Sequence, residues 1–115
     1  MSRYKAAAFA FALSAIASGP AAAQSAGQIK AYDYALKCWA VAGYIATQGG
    51  KAADGQASGR KAYDAAYRMG EVLGYPTARI ARDLDATGAA EGAALLQNRE
   101  YFERSRSECT QLGLL

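Results

Sequence analysis

The stretch that decides the fold is Gly27–Gln48, GQIKAYDYALKCWAVAGYIATQ. On a 3.6-residue period, Ile29, Tyr32, Leu36, Trp39, Ala40 and Gly43 form one apolar face. Ala31, Ala35, Cys38, Ala42 and Ile45 fill much of the opposite side, and Lys30, Asp33, Lys37 and Gln48 leave a narrow polar wedge. A helix apolar nearly all round is covered by neighbours on several sides. This segment is therefore predicted to be the central helix of a bundle, with Asp33 and Lys37 paired at i,i+4. Its uncharged part, from Cys38 to Gly50, is too short to span a membrane.

Upstream lies an export address. Arg3 and Lys5 precede the apolar run Ala6–Ala17, Gly19-Pro20 predicts a helix break, and Ala21-Ala22-Ala23 offers small residues for signal peptidase. Cleavage before Gln24 gives a cleavable secretory signal peptide, 1–23, and a single helical domain, 24–115. The address points to a periplasmic or secreted protein. The full chain carries 13 Lys+Arg against 10 Asp+Glu, and Arg3 and Lys5 leave with the leader, so the net charge falls from +3 to +1. The basic excess thus names no nucleic-acid partner, and no stable membrane span is expected after cleavage.

Downstream, abundant Ala and few β-branched residues favour helix throughout. Gly49 to Gly55 reads as a flexible connection. Ser58 is the expected cap of a second helix ending near Leu73-Gly74, along which Ala62, Ala66, Gly70 and Gly74 make a small-residue stripe widened by Tyr63, Met69 and Leu73. Tyr75-Pro76 forces a break, and Thr77 is the expected cap of a short third helix ending near Thr87-Gly88. The last helix is predicted over Ala89–Leu112, with Leu95, Phe102 and Cys109 at heptad spacing and Arg99–Glu103, Glu100–Arg104 and Arg104–Glu108 paired at i,i+4. The expected fold is all-α: a small bundle of three long helices and one short helix.

Cys38 and Cys109 are the only cysteines. In an oxidising compartment they form one structural disulfide, tying the last helix antiparallel to the first. Without a C-x-x-C spacing or a histidine to activate either thiol, a redox role has no support.

The chain has no histidine, which removes His-based triads and imidazole metal sites; no metal and no cofactor are expected. Glu71, Asp83 and Asp85 are the remaining candidates for acid–base chemistry. Asp83 and Asp85, two apart on a helix, do not face each other, and solvated helix faces are the simpler reading. The rings of Tyr32, Trp39, Tyr63, Tyr67, Tyr75, Tyr101 and Phe102 fill space between small residues or line a groove. Tyr34, Tyr44 and Tyr67, near the polar wedges, are the candidate binding aromatics.

With A-L-K-C-W at 35–39 and C-T-Q-L-G-L-L at 109–115, the chain resembles small exported all-helical bacterial proteins with two cysteines and unknown function. The resemblance brings no functional residue. Acid-stress periplasmic chaperones share the leader, size, helices and single disulfide, but not the 71-residue cysteine separation or this charge balance. The expected function is a non-enzymatic exported protein that binds an envelope protein or an apolar small molecule. The alternatives are a small carboxylate-dependent enzyme acting on envelope polymers and a periplasmic stress chaperone.

Overall fold

The computed structural model describes residues 2–48 and 52–115, with the side chains of 25–48 and 59–115. Among these residues the chain forms four helices: α1 (Ser2–Thr47), α2 (Ala52–Val72), α3 (Thr77–Gln97) and α4 (Arg99–Gln111). α1 is central and packs against the other three. Gly59 and Gly70 of α2 approach Ala42 and Tyr32 respectively, so α2 runs antiparallel to α1. Tyr32 meets Asp83, and Trp39 meets Gly88, so α3 runs parallel to it. Cys38 bonds to Cys109, and Tyr44 packs on Phe102, so α4 is antiparallel. The result is an up–down–up–down bundle.

Three long helices and one short one are present, but the short one is the last. The expected boundary at Gly88 lies inside α3, and the chain breaks at Asn98 instead. Asn98 is extended (φ −134°, ψ 102°), and its side chain accepts a hydrogen bond from the Tyr101 backbone N–H at 3.0 Å. This is an N-cap, with Glu100 in the first turn favouring the positive helix end. Gly88 has a different task. A Cβ there would lie 2.9 Å from Cζ3 of Trp39, so the glycine is where α3 lies against the indole.

Other boundaries also differ. α1 continues through Gly19 and Pro20, because proline removes one backbone bond while its Ala-rich flanks keep theirs. α2 begins at Ala52, six residues before Ser58; Gly49–Lys51, the side chains of residues 1–24 and the Ser58 side chain lie outside the described residues. Thr77 is already helical, and the cap is Pro76 (φ −66°, ψ 152°), whose carbonyl accepts from Arg79 and Ile80. α2 and α4 end alike. Gly74 (φ +77°) and Gly113 (φ +72°) adopt the left-handed conformation, and the next residues, Tyr75 and Leu114, donate back to Gly70 and Cys109.

The core has two layers. Tyr32, Leu36, Ala66, Ile80 and Leu84 pack around the α2–α3 turn. Cys38, Val41, Ala62, Leu95 and Cys109 form the other layer, and Trp39 touches both. The disulfide is wholly buried, with the two Cα atoms 5.6 Å apart. Gly70 belongs to the expected small-residue stripe and admits Ile80 of α3 as well as Tyr32 of α1. Tyr63 does not widen that buried face: it is 41% exposed. The Leu95–Phe102–Cys109 face persists across the Asn98 break, with Leu95 and Cys109 buried and Phe102 half-buried. Ser105 lies buried on it, and its hydroxyl has no hydrogen-bond partner among the described residues.

The expected surface ion pairs are rearranged. Lys37 reaches Glu108 of α4 at 3.7 Å rather than Asp33, and its ammonium lies 5.0 Å from the Tyr101 ring centre. Arg106 pairs with Glu103, displacing the Arg99–Glu103 pairing, while Arg104 turns toward Tyr101. The Lys37–Glu108 pair crosses between helices, whereas within α4 the partners shift from i,i+4 to i,i+3.

Candidate functional site

The most site-like feature is a trough at the C-terminal end of α1, open between α3 and α4. It consists of two adjoining hollows. The first, about 400 Å³, is walled by Tyr44, Ile45, Leu95 and Phe102, with Arg99 and Arg106 as its charged members. The second, about 500 Å³, runs along the α1–α3 crevice from Trp39 past Gly43, Gly88 and Gly92, and Asp85 is its one charged member among the described residues. Tyr44, Gln48 and Leu96 line both.

The local sequence explains the space. Gly88, Gly92 and Leu96 recur at i,i+4 on α3, and Gly43 faces them from α1. Among the described residues, a Cβ at Gly43 or Gly92 would meet nothing within 4 Å. The absent side chains leave the hollow, and the Trp39 indole against Gly88 closes one end of it. Leu96, an apolar side chain beside this space, is 69% exposed. Hollows of this size with mixed aromatic, aliphatic and polar walls match the range for small-molecule sites.

Among the candidate aromatics, only Tyr44 lies in the trough, where its ring packs on Phe102 at 4.8 Å between centroids. Tyr67 sits on α2 against Tyr63 at 4.9 Å, and the Tyr63 hydroxyl, followed by burial, raises its pKa. Tyr34 is half-buried on α1 and lines neither hollow. The ring pairings do not join the three into one surface. The pattern Gly88-x3-Gly92-x3-Leu96 is the signal that would have located the trough.

The carboxylates are dispersed. Asp83 accepts the Tyr32 hydroxyl at 2.8 Å and approaches Arg79 at 3.6 Å, while Arg79 stacks 3.6 Å from the centre of the Tyr75 ring. This cluster locks α1 to the start of α3. Burial, and then the Asp83 bond, hold the Tyr32 pKa far above the usual tyrosine value. Tyr101 is raised similarly by burial and by its 2.6 Å bond to Glu91, which ties α4 to α3. Glu71 is exposed on α2, and Asp85 is exposed beside the trough. Among the described residues no group of three His, Cys, Asp or Glu side chains could hold a metal ion, and no helix is long and apolar enough to cross a membrane.

Comparison with protein-family models, curated proteins and solved structures finds no match to this chain.

Proposed function

We propose that this chain is an exported, non-enzymatic binding protein that holds an apolar small molecule in the trough around Tyr44. The observation that carries the reading is a pair of neighbouring hollows that share Tyr44, Gln48 and Leu96 as wall residues, on a scaffold whose glycines leave space open. The leader Met1–Ala23 and the buried Cys38–Cys109 bond support delivery to an oxidising compartment, the periplasm or the exterior. The bond fixes α4 against α1, so the Phe102 wall is held in place with or without ligand. Preorganisation of this kind lowers the entropy lost on binding.

Titration with the neutral apolar dye N-phenylnaphthylamine tests the reading. Saturable fluorescence enhancement is expected, lost in Gly92→Leu, whose side chain would occupy open space in the trough. A dye response that is absent, or equal in the wild type and a folded Gly92→Leu, sinks it.

A further inference from the structure

Among the described residues, the trough carries opposite charges at its two ends. Arg99 and Arg106 line the hollow against α4, whereas Asp85 is the charged group of the hollow that reaches Trp39. Arg106 is partly satisfied by Glu103 and lies 5.4 Å from the Phe102 ring centre. Arg99 takes part in no ion pair among the described residues, and its planar fork matches a carboxylate. Between the two ends the described walls are Ile45, Leu95, Leu96 and the glycine-lined crevice, with the uncharged Tyr44 and Gln48 at the junction. The drop in level from Gln48 to Trp39 along α1 is about 13 Å at 1.5 Å per residue. An extended twelve-carbon chain is of similar length, at roughly 1.3 Å per methylene for tetrahedral carbons with bonds near 1.5 Å.

Resting on the binding reading above, we infer that the occupant is a single-chain alkyl carboxylate, its head on Arg99 and its tail over Gly92 toward Trp39. Asp85 enforces the direction, because a carboxylate head at the Trp39 end would face a like charge.

Trp39 is the sole tryptophan, so its emission reports on the tail end without labelling. Bromine quenches indole only at contact. Dodecanoate brominated at its terminal carbon, below its micelle-forming concentration, is expected to quench Trp39 saturably. Dodecanoate brominated beside the carboxylate should displace it while quenching little. Arg99→Gln should weaken the carboxylate about tenfold while terminally brominated dodecanol keeps its affinity to within about twofold, as expected for loss of one charge-assisted hydrogen bond. Raised salt should weaken the carboxylate alone. Equal affinity for acid and alcohol, equal quenching by the two bromoacids, or an unchanged Arg99→Gln overturns the head-group assignment and leaves apolar binding standing. Absence of saturable binding by acid and alcohol alike overturns both.

Discussion

Alanine substitution at four helical glycines should give stability changes of opposite sign, because the structure assigns them opposite surroundings. Ala is preferred over Gly inside a helix by about 1 kcal/mol. At Gly43 and Gly92 no atom of the described residues lies within 4 Å of the added Cβ to oppose that gain. Each variant should therefore be more stable by about 0.5–1 kcal/mol. At Gly70 the added Cβ overlaps Cδ1 of Ile80, lies 2.7 Å from its Cγ1 and is 3.3 Å from Cε1 of Tyr32. Ile80 and Tyr32 are both buried, so neither can withdraw into solvent. Overpacking of this kind costs about 1–3 kcal/mol, which outweighs the propensity gain and leaves Gly70→Ala less stable by about 1–2 kcal/mol. Gly88→Ala meets only the edge of the half-buried Trp39 ring, at 2.9 Å. Its two contributions should nearly cancel. Urea and thermal unfolding followed by far-ultraviolet circular dichroism resolves these differences, since 1 kcal/mol shifts the midpoint of a domain this size by about 4–8 °C. A Gly70→Ala protein as stable as wild type, or a Gly92→Ala protein as damaged as Gly70→Ala is expected to be, refutes the packing argument.

Three further outcomes follow from named contacts. Ser105→Ala should stabilise by about 1–2 kcal/mol, because it removes a buried hydroxyl without a partner and improves helix propensity; chemical denaturation that shows a loss contradicts this. Replacing Cys38 and Cys109 together by Ala should cost about 4 kcal/mol on the chain-entropy view of a loop this long, and wild-type stability unchanged by reductant in denaturant contradicts it. Tyr32 has a folded-state pKa above its unfolded one, so its contribution is intact below the ordinary tyrosine value of about 10 and is lost as pH rises beyond it. The wild type should therefore lose more stability than Tyr32→Phe across that alkaline window; equal losses in the two proteins would remove Tyr32 from the account.

The parts of this fold legible in the sequence are those set by periodicity within one helix. The all-round apolar pattern of Tyr32–Ile45 marks α1 as central, and the heptad Leu95–Phe102–Cys109 places Cys109 where it meets Cys38. Gly70 is recognisable as a packing glycine, though its second neighbour, Ile80, comes from a helix that periodicity alone does not position. The end of α3 is misread because Gly88 and Asn98 each carry two meanings. Glycine either terminates a helix or permits close approach, and the Trp39 contact selects the second. Asparagine either sits on a helix face or caps one, and only its extended backbone shows the cap. The trough was hidden by the same error, since placing a boundary at Gly88 separates it from Gly92 and Leu96. Tyr44 could be singled out as a ring near a polar wedge, but its place between two hollows depends on three helices at once.

The central claim is that the trough around Tyr44 is where a ligand binds. The direct measurement is a two-dimensional amide spectrum of isotope-labelled protein during titration with N-phenylnaphthylamine. Saturable shifts are predicted for the Trp39 indole N–H and the Gly43, Gly88 and Gly92 amides, with the Tyr63 and Tyr67 amides of α2 unmoved. Shifts confined to α2, or none at a concentration that saturates the dye signal, would contradict it.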